Sequence, residues 1–187
     1  LALALLASPA LLVNQASAVT YTWNGTASQY WNDAANWNGG VAPVSANTTD
    51  IIIGGTVNVG TMYPGSTAYT IKSLTFDASN DANTTLSLQQ NGNHNNNAKN
   101  LTFSSNSGNA TLTVESGSTG NKTIDRLTTG TGSAATIILT SSLDIIHNGS
   151  GTLTLGDAVK TSVTGAGNIT KSGTGTLILS GANTYTG

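Results

Sequence analysis

Short strand-like segments return at a nearly regular spacing along this chain, and that recurrence limits its fold more than any other feature. From Asp50 onward they read DIIIG, TVNV, YTIKSLTF, TTLSL, NLTF, TLTV, TIDRL, TIILT, LDII, TLTL, NITK and TLIL. Each is rich in Leu and β-branched residues, with apolar residues at alternate positions, the pattern of a half-buried strand. Gly, Asn, Ser and Asp separate them, as turns require. SLTF at Ser73 to Phe76 returns as NLTF at Asn100 to Phe103, and TLSL at Thr85 to Leu88 returns as TLTV at Thr111 to Val114, both about 26 residues on. TLTL at Thr152 to Leu155 returns as TLIL at Thr176 to Leu179 after about 24 residues. A period in the twenties with several short strands per period specifies a solenoid.

The expected fold is all-β, a right-handed parallel β-helix of five or six coils over residues 50–187, a rod of roughly 25–30 Å. Leu74 is expected beside Leu101, and Leu86 near Leu112. Leu112 and Leu153 should point inward, with Thr111 and Thr154 exposed. A β-sandwich is the rival architecture, but it favours two-residue Asn-Gly or Asp-Gly hairpin turns. Beyond Asp50 only Asn91-Gly92 and Asn148-Gly149 offer them.

Charge narrows the function. Only 7% of the 187 residues are charged and the net charge is −2, against about 25% charged in an average soluble domain. Thr, Ser and Asn therefore carry solubility. Nucleic acid is excluded as a partner, because it needs clustered Lys and Arg. A polybasic membrane-surface segment is excluded likewise. The chain has no Cys, so no disulfide framework supports it.

LALALLASPALLV has the length of a signal-peptide apolar core, and Ala16-Ser17-Ala18 fits a small-x-small cleavage site before Val19. The run is short of the about 20 residues that cross a bilayer. Residues 1–18 are thus expected to be a cleavable signal peptide, 19–49 a Trp-rich N-terminal cap, and 50–187 the β-helix. The run lacks an initiator Met, and the repeating pattern does not stop at Gly187; the natural protein is expected to extend past both ends.

Little else suggests chemistry. Polysaccharide-cleaving β-helices need carboxylates grouped on one face. At a period near 25 residues, no three of Asp33, Asp50, Asp77, Asp81, Glu115, Asp125, Asp144 and Asp157 share a stripe of adjacent coils. His94 and His147 have no second ligand at metal spacing and read as exposed loop histidines. No catalytic, cofactor or metal residue is assigned. Trp23, Trp31 and Trp37, with Tyr30, form the one candidate ligand surface, since such rings stack on sugars and anchor interfaces. They equally suit a plug for the open end of the first coil, which would otherwise expose apolar columns and unpaired backbone groups.

Residues 167–187, GNITKSGTGTLILSGANTYTG, closely resemble the autotransporter-associated β-strand repeat. Gly167, Ile169, Lys171, Gly173, Gly175, Leu177, Leu179, Ser180, Gly181, Asn183, Tyr185 and Gly187 all fall on its pattern. TYTWNGTASQYWNDAANWNGGVAP, Thr20 to Pro43, is similar to the segment that often opens such proteins after the signal peptide. The resemblance implies a β-helical stalk outside a bacterium, followed in the same polypeptide by further repeats and by a translocator barrel or a sorting signal. Adhesion or display would be its use, with host or cell-surface glycans as possible partners. A carbohydrate-binding module using the Trp segment is the alternative function, and a polysaccharide-degrading β-helical enzyme the third.

Overall fold

The computed structural model describes residues 17–25, 27–55, 61–65, 68–89, 98–126 and 133–187. The apolar leader, TVNV, His94 and the Asn91-Gly92 pair lie outside these residues. Strand β1 (Val19–Trp23) begins at the residue that follows the expected cleavage site. Five coils succeed it. The first holds β2 (Thr49–Ile53), β3 (Thr61–Met62) and β4 (Tyr69–Ile71). The second holds β5 (Ser73–Phe76), β6 (Thr84–Ser87) and β7 (Leu101–Phe103). The third holds β8 (Ala110–Val114), β9 (Lys122–Asp125) and β10 (Ala135–Leu139). The fourth holds β11 (Leu143–His147), β12 (Thr152–Leu155) and β13 (Thr161–Gly165). The fifth holds β14 (Ile169–Ser172) and β15 (Thr176–Leu179).

Every strand pairs in parallel with its counterpart one coil away, which builds three sheets. Their orders are β1-β2-β5-β8-β11-β14, β3-β6-β9-β12-β15 and β4-β7-β10-β13. The chain is a parallel β-solenoid, and the antiparallel contacts among the described residues are isolated bridges. Strand alternation puts one residue in two inside, and the register piles those residues into columns. Ile51, Leu74, Leu112 and Ile145 form one column on the first sheet. Met62, Leu86, Ile124, Leu155 and Leu179 form one on the second. Tyr69, Leu101, Ile137 and Val163 form one on the third. All but Leu179 are buried, and each such aliphatic side chain contributes about 1.5–3 kcal/mol.

Two expectations need correction. Leu74 does not pair with Leu101, nor Leu86 with Leu112; Leu74 pairs with Leu112, and Leu101 lies on another sheet beside Tyr69. The coils differ in length. Hydrogen-bonded neighbours one coil apart are 24 residues apart at Gly55 and Ser79, 38 at Asn83 and Asn121, 31 at Asn121 and Thr152, and 26 at Ser142 and Asn168. The second coil is long because the chain leaves it through an antiparallel Gln89–Ala98 bridge, closed by Lys99 N–H on the Leu88 carbonyl at 3.1 Å. The second correction is smaller. Leu112 and Leu153 are buried as expected, but Thr111 and Thr154 are half-buried rather than exposed, because register neighbours flank each on both sides.

At the coil corners, side-chain amides and hydroxyls take over the pairing. Asn83 Oδ1 accepts from Asn121 N–H at 2.8 Å, and Asn121 Oδ1 accepts from Thr152 N–H at 2.9 Å. A turn that breaks the ladder would otherwise leave these backbone donors unpaired.

Candidate functional site

Residues 19–48 make an additional turn over all three sheets. β1 lies in register on β2. Tyr30 bridges Tyr63, with Trp31 N–H on the Tyr63 carbonyl at 2.9 Å. Ala46 N–H reaches the Thr70 carbonyl at 2.9 Å, and Ser45 Oγ accepts from Thr70 N–H at 2.8 Å. The chain also folds back along the outer edge of β1. Asn38 N–H bonds the Thr22 carbonyl, Asn24 N–H bonds the Asn36 carbonyl, and Trp23 and Trp37 form an antiparallel bridge. These bonds occupy backbone groups that an edge strand would leave open.

The three tryptophans fill the inside of this turn. Trp23, Trp31 and Trp37 are at most 2% exposed. Trp37 is the hub: Trp23 meets it edge-to-face at 5.1 Å, Trp31 at 6.0 Å and Tyr21 at 6.3 Å. Trp31 also packs edge-to-face on Tyr69 at 5.5 Å, linking the turn to the first coil. Such edge-to-face pairs contribute about 0.5–1.5 kcal/mol each beyond area burial. Trp37 Nε1 donates to the Trp31 carbonyl at 2.7 Å. No tryptophan face is open to a ligand, and a sugar would have to displace a ring from the core. Tyr30 differs. It is half-buried, tilted against the half-buried Tyr63 at 5.8 Å.

Asn36 holds this turn together, and the sequence reading did not single it out. It is fully buried. Its Oδ1 accepts from Ala27 and Ser28 N–H, while its Nδ2 donates to Ser28 Oγ and to the Tyr30 carbonyl, all within 3.0 Å. Asp33 caps the short 3-10 helix Ala34–Asn36 through Ala35 N–H, and also accepts from Ser28 Oγ. An Asn and an Asp within a Trp-rich loop was the available sign.

At the other end, residues 167–187 form the last described coil, and its glycines sit where the coil below leaves no room. A Cβ on Gly167 would lie 2.2 Å from the Ser141 carbonyl oxygen. One on Gly175 would lie 2.3 Å from the His147 ring, and one on Gly187, where the chain comes round over the start of its own coil, 2.2 Å from Asn168 Oδ1. Gly173 (φ +80°) and Gly181 (φ +87°) add left-handed backbone that other residues resist. The remaining repeat positions stitch the coil down. Ser180 N–H bonds the Leu155 carbonyl at 2.9 Å and Asn183 Oδ1 accepts from Val163 N–H at 2.8 Å, while Lys171 Nζ donates to the Gly173 carbonyl at 2.6 Å within the coil. Leu177, Leu179 and Tyr185 pack half-buried on the core.

Two inward positions hold basic groups that the sequence reading did not place in the core. Lys122 is fully buried in the column between Thr84 and Leu153. Its Nζ donates to the Asn80 and Ala82 carbonyls at 3.0 and 2.7 Å and lies 5.9 Å from the Phe76 ring centroid. Burial pushes its ammonium down to about 8, against partial support from Asp81. His147 continues the column of Ile53, Phe76 and Val114 and is fully buried, which corrects its reading as an exposed loop histidine. At the end of β9, burial and then the charge of Asp157 push Asp125 up to about 6. Asp125 and Asp157 come within electrostatic reach because the third coil exceeds the assumed period. Among the described residues, no group of three His, Cys, Asp or Glu side chains could hold a metal ion.

No match was found among curated proteins or solved structures. The family model described as the passenger-associated-transport-repeat matches residues 169–187. That span runs from the first residue of β14 to Gly187, so the match covers one coil whose strands continue the sheets beneath it. The chain is a parallel β-solenoid that carries a passenger-associated-transport repeat in residues 169–187.

Proposed function

We propose that this chain is a stalk segment of an exported bacterial surface protein, the passenger of an autotransporter-type polypeptide, serving adhesion or display. The repeat match at residues 169–187 is the observation that carries the proposal. Such a repeat points to export to the cell surface and to a translocator in the same polypeptide. Its downstream partners would be further repeats and a membrane barrel or sorting signal. Leu1 to Ala18 would be the export signal.

The role is mechanical and non-enzymatic. Stacked strands transmit length, uncharged outward Thr and Ser keep the rod soluble, and the buried tryptophans serve as the cap. Protease shaving of intact cells that express the natural gene with an epitope inserted at Gly108 tests it. Gly108 is exposed, and a Cβ there would meet nothing within 4 Å. Loss of the epitope from whole cells is expected; protection until lysis would overturn the reading. A second reading, glycan binding, draws on the half-buried Tyr30–Tyr63 pair rather than on the tryptophans. Tyr30→Ala should abolish retention on immobilised glycans without lowering the unfolding midpoint.

A further inference from the structure

His147 lies beneath the turn that closes the repeat coil. Gly175 N–H donates to the His147 carbonyl at 2.8 Å, and only the missing Cβ of Gly175 makes room for the ring. The imidazole is fully buried, and its ring nitrogens have no well-formed hydrogen bond, the Gly151 backbone being their one polar neighbour. A neutral imidazole presents one donor, whereas an imidazolium presents two and a charge. The pocket is poorly suited to that charge. The charges that reach the ring are both cationic, Lys171 on β14 and Lys122 on β9. The carboxylates of the neighbouring strands are committed elsewhere. Glu115, after β8, accepts from Ala78 N–H, and Asp144 on β11 accepts from Asn109. Asp125, at the end of β9, has a buried Oδ1 without a hydrogen-bond partner, but it is not among the charges that act on the ring. Strands β12 and β15 carry no charge.

We infer that His147 makes closure of the repeat coil acid-sensitive: protonation of its ring opens the Gly173–Gly175 turn and frees residues 167–187 from the coil below. Burial holds the imidazole below its ordinary 6.5, the two lysines add to that, and the Gly151 backbone opposes it in part. The closed coil therefore binds fewer protons than the open one. Its closure is fully present above 6.5 and is lost as pH falls from there toward the depressed value.

The test is amide hydrogen exchange of the whole chain between pH 7.5 and 5, corrected for intrinsic rates and read at Gly175 and Ser180 against Leu74 and Leu112. Below pH 6.5, opening of the repeat coil should grow by up to about tenfold per pH unit, while the inner coils stay protected. His147→Leu should flatten that response. If His147→Leu does not fold, Lys171→Gln, an exposed change, should narrow the pH range over which opening grows. Protection of residues 167–187 that ignores pH, or an imidazole that titrates at 6.5 or above in an NMR titration, would overturn the inference.

Discussion

Residues 19–48 and residues 167–187 each make one turn over the same three sheets, but they seat themselves by different means. The N-terminal turn uses bulk: three tryptophans occupy its interior in edge-to-face contact, and Asn36 ties its loop with four hydrogen bonds. The repeat coil uses absence. Its glycines let backbone lie directly on the carbonyls and the ring beneath. A coil filled by large side chains tolerates loops of irregular length, since packing locks it. A coil seated by backbone contact must keep its glycines in place, which is why a short pattern defines it.

The largest test of this contrast is Trp31→Ala against Leu177→Ala. Trp31 is fully buried, so truncation should cost about 3–5 kcal/mol. Leu177 is half-buried and should cost about half the 2–5 kcal/mol of a core leucine. Urea midpoints that fall equally would remove the distinction.

Two glycines with nearly the same backbone give the next test. Gly39 (φ +86°) in the N-terminal turn has nothing within 4 Å of an added Cβ, whereas Gly181 (φ +87°) would place one 2.5 Å from the Thr161 carbonyl oxygen. Gly39→Ala should cost only the left-handed backbone strain, about 1 kcal/mol. Gly181→Ala adds the steric clash and should exceed about 3 kcal/mol. Equal losses in thermal unfolding would mean that backbone angle alone selects glycine in the repeat.

Lys122 probes the middle of the stack, between the two turns. Its folded value of about 8 lies below its ordinary 10.5, so the unfolded chain binds more protons between those values. Stability should therefore rise as pH climbs from about 8 to 10.5. Lys122→Met should abolish the rise. A urea-unfolding series across that range that is flat in the unaltered chain would contradict the burial of the ammonium.

The smallest effect belongs to the outward face. Thr154→Ala should change stability by about 0.5 kcal/mol or less. A larger loss would show that the half-buried threonine columns hold the coils as much as the leucine columns do.

Much of this fold was legible in the chain. Alternation in TLTL and TLIL announced inward leucines, and the match of Leu153 to Leu177 follows from their short, uninterrupted coil. The same parity was available for the two buried bases. Lys122 stands two residues before Ile124, and His147 stands two after Ile145, so both share a face with core residues. His147 was read as an exposed loop residue because it follows the strand at the entry to a turn, and Lys122 was not singled out. The tryptophans were legible as a cluster, but whether their faces would be open or closed was not.

Sequence by itself determined most of the strands, the inward faces of their aliphatic residues and the repeat, because each depends on neighbours a few residues away; it missed β3 and β13 and did not divide YTIKSLTF into β4 and β5. Tertiary structure alone decided which strand lies on which. A parallel coil is closed by connections of any length, and the pairing of Leu74 with Leu112 rather than Leu101 depends on where the Gln89–Ala98 excursion leaves the stack. It also decided that Lys122 finds two carbonyls while His147 finds none. Those partners come from chain segments brought alongside by stacking, and local sequence pattern carries no information about them.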